Sequence, residues 1–129
     1  MHPSAELKSI ILQLYGKEAS GELFGYAKQL YSQQDGVLII GSDPNEFFED
    51  YNSITRFYEA EGVAGFEIKV DDIKAYCEDT VGWVIDRLTV KLPNGIEVPV
   101  RHTYIFHGEN DTWKIAHAHI SVGVPNESL

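Results

Sequence analysis

The stretch VGWVIDRLTVKLPNGIEVPVRHTYIFH, residues 81–107, contains two long apolar runs separated by Pro93-Asn94-Gly95. The first run, Val81 to Leu92, is rich in branched and apolar residues, which favours a strand over a helix. Asn-Gly is suited to the positive φ angles of a tight hairpin turn. We therefore predict a hairpin whose second strand runs from Ile96 to His107.

Further strands are predicted on both sides of this hairpin. Phe66, Ile68 and Val70 alternate with charged residues, residues 73–78 form another short run, and Trp113 to Val122 follows a polar turn. Alternation with period 2 is typical of half-buried strands. The C-terminal half is therefore predicted to be an antiparallel meander.

The N-terminal half has the 3.6-residue period of helices. Ser4 is placed to cap a first helix that weakens at Gly16, with an apolar stripe at Leu7, Ile10, Ile11, Leu14 and Tyr15. A second, shorter helix fits residues 20–31, and residues 37–40 predict a buried strand. Helices first and strands after them indicate an α+β fold with the helices on one face of the sheet.

A third helix is predicted to begin at Asp43-Pro44-Asn45-Glu46. In this interpretation Asp43 is the N-cap, Pro44 the first helical residue and Glu46 the residue that reaches back to the cap. The apolar stripe of this helix stops at Gly62, where we expect the helix to end.

Composition limits the classes of partner. The 129 residues contain 20 acidic and 10 basic side chains, a formal charge of −10 that repels nucleic acid and anionic membranes. Eleven of the acids lie between Asp43 and Asp79. No apolar run approaches the roughly 20 residues of a membrane span, and one cysteine forms no internal disulfide. We expect one domain over residues 1–129, in the cytoplasm.

The C-terminal stretch WKIAHAHIS, Trp113 to Ser121, resembles the W-K/R-I-x-H-x-H-x-S signature of SnoaL-like domains in the nuclear transport factor 2-like superfamily. The same strand is similar to the end of the association domain of calcium/calmodulin-dependent protein kinase II. The strand with Arg87-Leu88-Thr89, the Asn-Gly turn, and Tyr15 sixteen residues before Tyr31, as in ketosteroid isomerases, add to the resemblance.

The resemblance implies a cone-shaped α+β barrel, in which a strongly curved mixed or antiparallel sheet wraps on the N-terminal helices and encloses one pocket. It also implies a homodimer formed through the outer sheet face. Side chains alternate along each strand, and the resemblance implies that these positions face the pocket: Trp83, Ile85, Arg87 and Thr89; Val98, Val100, His102, Tyr104 and Phe106; and Ala116, Ala118 and Ile120.

His117 and His119 share the opposite face in this assignment. Two imidazoles at i and i+2 are able to ligate zinc, but a four-coordinate site needs further ligands, and spacing supplies none. We therefore predict no metal, and expect these histidines to hydrogen-bond across strands or across a dimer seam. No Gly-rich phosphate loop is present, so no nucleotide cofactor is expected.

Ketosteroid isomerase chemistry needs a carboxylate base and two donors to an oxyanion. Tyr15 matches the family's donor on the first helix, but the base position falls near Gly41-Ser42 and the second donor position on Tyr104. Asp43 is close enough in sequence to serve as base, although its role as a helix cap is the simpler interpretation. An isomerase of the usual steroid mechanism is therefore not favoured.

Arg87, His102 and Tyr104 form the candidate cluster for ligand chemistry. A guanidinium in an apolar pocket needs an acidic partner or an anionic ligand, although Arg87 is also able to pair with Asp86 or a helix carboxylate. His102 suits general acid or base catalysis, and Tyr104 suits a donor to a carbonyl oxygen.

These observations predict a small-molecule-binding domain for a ligand with a carboxylate or carbonyl. If it is an enzyme, we expect a cofactor-free isomerase, cyclase or dehydratase. The candidate catalytic residues are His102, Tyr104, Tyr15 and Asp43; the candidate ligand-binding residues are Arg87, Trp83, Ile85, Val100, Phe106, Ala118 and Ile120. The alternative is a non-catalytic association or ligand-sensing domain.

Overall fold

The computed structural model describes residues 1–61 and 66–129. Within these ranges the elements are β1 (His2–Pro3), α1 (Ala5–Ser20), α2 (Leu23–Leu30), β2 (Leu38–Ile40), β3 (Phe47–Phe48), α3 (Tyr51–Glu61), β4 (Glu67–Glu78), β5 (Val81–Lys91), β6 (Glu97–Glu109), β7 (Thr112–Ser121) and a short 3-10 turn (Asn126–Ser128).

The strands form one mixed sheet in the order β1-β4-β5-β6-β7-β2-β3. β4 to β7 are the predicted antiparallel meander, and β2 joins it parallel to β7. The turn between β5 and β6 has Gly95 at φ +88°, as the Asn-Gly pair predicts. The predicted α+β class, with helices against a curved mixed sheet, is confirmed.

β4 differs from the prediction of two short strands. It is one strand, and its pairing with β5 is irregular between Val70 and Asp72. The residue at the irregularity, Asp71, accepts a hydrogen bond from the Thr89 hydroxyl at 2.7 Å. A single bulged residue therefore interrupts the alternation that the sequence presents as a break between strands.

α1 begins where the sequence predicts and ends later. The backbone N–H of Leu7 donates to the Ser4 hydroxyl at 3.1 Å, which is an N-cap bond. The helix continues through Gly16 and stops at Gly21, whose φ is +79°. The Glu22 N–H donates to the Lys17 carbonyl at 2.9 Å, so the chain closes in a Schellman motif that glycine favours.

The predicted start of the third helix at Asp43 is wrong. Asp43 lies in an exposed turn between β2 and β3, where its carboxylate accepts the Asn45 N–H at 2.8 Å and Glu46 accepts the Asp43 N–H at 3.0 Å. The bond of a capping box from the Asp43 N–H to the Glu46 side chain is thus present, but the chain continues from this turn as a strand. α3 is capped instead by Asp50, which accepts the Ser53 N–H at 2.7 Å. The predicted end at Gly62 lies outside the described residues.

The core lies between α1 and the inner face of the sheet. Leu7, Ile11 and Leu14 of α1 are at most 2% exposed, and they belong to one buried cluster with Val84 of β5 and Phe106 of β6. Fully burying each such side chain contributes about 1.5–3 kcal/mol relative to exposure. This packing holds α1 across the strands, which fixes the position of Tyr15 near its C-terminal end.

In the part of the chain that the structure describes, no helix is both long and apolar enough to cross a bilayer.

Candidate functional site

A cavity of about 260 Å³ opens between the helices and the inner face of β4 to β7. Its walls are mainly apolar, with polar groups concentrated around His102. The lining residues are Leu14, Tyr15, Leu23, Ser42, Glu46, Phe57, Tyr58, Phe66, Ile68, Leu88, Val90, Leu92, Val98, Val100, His102, Tyr104, Ile120 and Val122.

Asp86 is a buried carboxylate beside this cavity. It is 1% exposed and is directly opposite His102 in the pairing of β5 with β6. One carboxylate oxygen lies 2.9 Å from Nδ1 of His102, and the other accepts the hydroxyl of Tyr15. Burying a carboxylate is costly unless it is hydrogen-bonded, and here both oxygens are bonded.

Two tyrosine hydroxyls complete the polar cluster, which we call the inner cluster: Tyr15, Asp86, His102 and Tyr104. The hydroxyl oxygens of Tyr15 and Tyr104 are 3.0 Å apart. The rings of His102 and Tyr104 stack with centroids 5.3 Å apart and planes inclined by 12°. His102 and Tyr104 share one face of β6 because they are two residues apart, and α1 brings Tyr15 onto them.

Both tyrosines of the inner cluster keep their protons at ordinary pH. Burial, followed by the charge of Asp86 and the hydrogen bond to it, raises the pKa of Tyr15 well above its usual value. Burial, followed by the neighbouring Tyr15, raises the pKa of Tyr104 in the same way. Both hydroxyls are therefore neutral hydrogen-bond donors.

The tautomer of His102 follows from its partner. A carboxylate only accepts hydrogen bonds, so Nδ1 carries a proton that it donates to Asp86. Nε2 of His102 has no hydrogen bond to any described residue. Among those residues, every side-chain nitrogen or oxygen that is fully buried does have a partner, so Nε2 is not one of the fully buried atoms. Nε2 is therefore accessible, and because His102 lines the cavity, it is available to a molecule bound there.

The sequence-based assignment of β5 faces is wrong. Arg87 and Ile85 are exposed and Trp83 lies on the same outer face, whereas Val84, Asp86 and Leu88 point inward. The turn pairs Lys91 with Glu97, so residues directly opposite on β5 and β6 are both odd or both even. Since directly paired residues share a face, the inward even positions of β6 require inward even positions on β5.

The other candidate residues divide into three groups. Tyr15, His102 and Tyr104 converge as described, and Val100 and Ile120 line the cavity. Phe106 and Ala118 are fully buried on the inner face, in the core, but do not line the cavity. Asp43 is exposed in its turn and is not part of the lining.

β7 carries a second irregularity. Ile105 pairs with His117 and Phe106 pairs with Ile115, so Ala116 is an extra residue in β7. Ile115 therefore occupies the inward position that the sequence assigns to Ala116. His117 is on the other face, and its Nδ1 lies 3.0 Å from the carbonyl oxygen of Leu38 on β2. Across residues 1–61 and 66–129 no group of three or more potential metal ligands occurs.

Sequence reasoning missed Asp86 as a member of the site. The sequence indicates Asp86 only as a partner for Arg87, and acidic residues are seldom fully buried. The signal that identifies it is the hairpin register, which places Asp86 opposite His102.

The model of the SnoaL-like domain family matches residues 8–125. The chain belongs to this family. Structures similar to this SnoaL-like domain include a nuclear transport factor 2-like protein of unknown function from Pseudomonas putida (TM-score 0.83, 12% identity, 96% of this chain and 89% of that chain). No curated protein sequence matches significantly.

Two further structures carry functional descriptions. One is a proposed dehydratase of the nuclear transport factor 2-like family from Streptomyces avermitilis (TM-score 0.77, 14% identity, 93% of this chain and 95% of that chain). The other is the association domain of C. elegans calcium/calmodulin-dependent protein kinase II (TM-score 0.69, 10% identity, 90% and 92%). At these identities the likeness establishes the fold of this SnoaL-like domain and not its activity.

Proposed function

We propose that this SnoaL-like domain binds a small, neutral molecule with a carbonyl or hydroxyl group, and that the inner cluster catalyses cofactor-free proton transfer on it. The observation that carries the proposal is the buried Asp86 bonded to Nδ1 of His102, which leaves Nε2 accessible beside two neutral tyrosines.

In the proposed reaction His102 is the general base. Nε2 accepts a proton from the carbon next to a carbonyl, and the electron pair of the broken C–H bond moves toward the carbonyl oxygen. Asp86 stabilises the imidazolium that forms. Return of the same proton to another carbon completes an isomerisation, whereas its transfer to a β-hydroxyl releases water and completes a dehydration.

Tyr104 is the donor to the developing oxyanion. Tyr15 donates its hydrogen bond to Asp86, so the Tyr15 oxygen is left as an acceptor for the Tyr104 hydroxyl when the cavity is empty. A bound carbonyl oxygen competes for the Tyr104 proton. A fixed donor aimed at the atom that becomes negative lowers the barrier because no solvent needs to reorganise.

The charges around the cavity favour a carbonyl over a carboxylate on the ligand. Within the described part of the lining, Glu46 is the one carboxylate and no lysine or arginine occurs. The carboxylate of Asp86 lies behind the lining, next to His102. Because Arg87 lies on the outer face of the sheet, it does not support an anionic ligand in this cavity. The volume is just below the roughly 300–1,000 Å³ range of ligand pockets, which favours a small ligand.

The test is solvent deuterium exchange. A panel of small cyclic ketones and β-hydroxyketones is first ranked by the rise in melting temperature, with the matching carboxylic acids alongside. The compounds that bind are then incubated in D₂O, and exchange at the carbon next to the carbonyl is followed by NMR. We expect exchange to fall about 10²- to 10⁴-fold in His102→Gln and to persist in His2→Gln, which alters an exposed histidine on β1.

Binding without exchange would leave a ligand-binding domain and refute the catalytic part. Stabilisation by carboxylic acids alone would refute the assignment of ligand charge. Equal exchange in His102→Gln and the unaltered protein would refute the role of His102.

A second candidate function is association through the outer sheet face. Trp83 and Ile105 are paired across β5 and β6 on that face, and Ile85 and Ile105 are 49% and 37% exposed. Such side chains favour a homodimer, and cytoplasmic location stays a prediction alongside it. Light scattering over a dilution series tests this function: we expect Ile105→Lys to be monomeric and Leu12→Lys, on exposed α1 surface, to match the unaltered protein.

A further inference from the structure

The cavity has a second polar group at its rim, away from the inner cluster. Glu46, between β2 and β3, lines the cavity and is half-buried, whereas Asp86 and Tyr104 of the inner cluster are at most 2% exposed. The neighbouring lining residue Ser42 is exposed. Glu46 therefore lies where the cavity opens to solvent.

Both the backbone and the side chain of Glu46 are held in place. The Gly41 N–H donates to the Glu46 carbonyl at 2.8 Å, and the Glu46 N–H donates to the Asp43 carbonyl at 2.9 Å. One carboxylate oxygen, Oε1, accepts the Asp43 N–H at 3.0 Å. The carboxylate is thus fixed before a ligand arrives, and a fixed group costs less entropy to bind.

Gly41 leaves room for this carboxylate on the inner face of the sheet. Ile39 of β2 is fully buried, so alternation places Gly41, two residues later, on the same inner face. A Cβ added at Gly41 would overlap Cβ and Oε1 of Glu46. The side chain of Glu46 therefore occupies the space that a side chain at position 41 would fill.

Gly41 and His102 lie in one row across three strands. Ile40 pairs with His119, so Gly41 comes beside Ile120, and Ile120 pairs with His102. Two strand spacings, roughly 10 Å, separate the backbones at the two ends of this row. Ile120 lines the cavity between them. The cavity therefore has a polar group on each side, with an apolar surface between the two.

The other carboxylate oxygen of Glu46, Oε2, is available to a ligand. It has no hydrogen bond or ion pair with a described residue. Every fully buried side-chain oxygen among those residues has a partner, so Oε2 is not fully buried. A carboxylate only accepts hydrogen bonds, and the described lining contains no lysine or arginine to occupy it. The rim therefore favours a hydrogen-bond donor on the ligand.

We propose that Glu46 accepts a hydrogen bond from a hydroxyl group of the ligand whose carbonyl lies at the inner cluster. The substrate class is a small hydroxyketone, with the carbonyl and the hydroxyl at opposite ends of an apolar frame. This assignment rests on the proposed function, because His102 and Tyr104 receive the carbonyl end. Glu46 selects and orients the substrate and takes no part in the proton transfer.

Isothermal titration with matched pairs of ketones tests this role. The probes are 4-hydroxycyclohexanone and 4-(2-hydroxyethyl)cyclohexanone, each compared with the ketone that has a methyl group in place of the hydroxyl. We expect at least one hydroxyketone to bind about tenfold more tightly than its methyl counterpart, because a hydrogen bond to a charged group is among the stronger ones.

Three variants locate the origin of this preference. Glu46→Ala should abolish it, and Glu46→Gln should retain part of it, since an amide oxygen still accepts a hydrogen bond. Gly41→Ala should reduce it without removing the carboxylate, because the added Cβ displaces Glu46. The controls are Glu49→Ala, an exposed carboxylate outside the lining, and Gly25→Ala, where a Cβ meets nothing within 4 Å; both should keep the preference.

The ratio of the two affinities distinguishes recognition by Glu46 from a general disturbance of the cavity, which would weaken both ketones of a pair together. Melting temperatures without ligand check that each variant is folded. An unchanged ratio in Glu46→Ala, or no preference in the unaltered protein, would overturn the role of Glu46 even if deuterium exchange occurs. A preference lost in Glu46→Ala without exchange would support Glu46 and refute the catalytic function alone. Binding of none of the ketones would overturn both.

Discussion

Gly82 lies on β5 at the point where α1 crosses the strand, and it is buried. A Cβ added there would overlap Cδ1 of Leu7 and would lie 3.0 Å from the Tyr76 carbonyl oxygen and 3.1 Å from Cβ of Cys77. Leu7 is fully buried, and the Tyr76 carbonyl is part of the backbone of β4. Gly82→Ala therefore forces α1 away from the sheet.

The expected size of this effect follows from two opposing contributions. Overpacking a well-packed core costs about 1–3 kcal/mol, and replacing glycine inside a strand recovers about 0.5–1 kcal/mol through chain entropy. Subtracting these ranges leaves a net loss in the free energy of unfolding of about 1 kcal/mol, and of about 2.5 kcal/mol at most. For a chain of this length each kcal/mol shifts the melting temperature by roughly 4 °C, so we expect a fall of about 4 °C and of about 10 °C at most.

Gly16→Ala is the matched control, since it makes the same chemical change on the same helix–sheet unit. A Cβ at Gly16 meets nothing within 4 Å, and the residue is exposed inside α1. Alanine there gains about 0.5–1 kcal/mol, so the melting temperature should rise by about 2–4 °C. Circular dichroism measures both. Shifts of the same sign in the two variants, or no loss in Gly82→Ala, would refute the packing argument.

Three further results are expected. The pKa values of Tyr15 and Tyr104 are raised in the native state, so the native state keeps these protons to higher pH than the unfolded chain does. Their contribution to the free energy of unfolding is therefore fully present below pH of about 10 and is lost as the pH rises above it. Tyr104→Phe should reduce the slope of stability against pH in denaturant titrations at alkaline pH. Burial opposes ionisation of Glu109, but bonds from His107 and Ser32 outweigh it and lower its pKa, so its contribution is present above pH of about 4.3 and is lost in more acid solution. Glu109→Gln should flatten the acid limb of stability against pH, and an unchanged limb would contradict this. Ser4→Ala should cost about 1 kcal/mol in urea unfolding because it removes the α1 cap, whereas Ser9→Ala, on exposed α1 surface, should cost nothing.

Local patterns were sufficient for much of the fold. The cap at Ser4, the Asn-Gly turn and the period-2 runs of the C-terminal half each depend on residues close in sequence, and the structure has them where they were predicted. The sequence also assigned Val100, His102 and Tyr104 to the inward face of β6, where the structure places them. Side chains alternate along a strand, so one correctly assigned position fixes the others.

The errors arose where one segment depends on another. Asp43 and Glu46 make one bond of a capping box, but Phe47 and Phe48 pair with β2 and the chain continues as a strand. At Ala116 one extra residue reverses the alternation of β7. Neither outcome is visible in the local sequence. The bond between Asp43 and Glu46 forms in a turn as well as at a helix start, and an apolar residue such as Ala116 fits a regular strand as well as a bulge.

The sequence by itself determined the first two helices, the hairpin of β5 and β6, the last strand, and that His102 and Tyr104 face one side. Only the tertiary structure decided that Arg87 faces out and Asp86 faces in. The physical reason is register: the pairing of Lys91 with Glu97 sets which β5 residues oppose those of β6, and a shift by one residue moves every side chain to the other face. That register, with α1 supplying Tyr15, turns separate polar residues into one buried cluster.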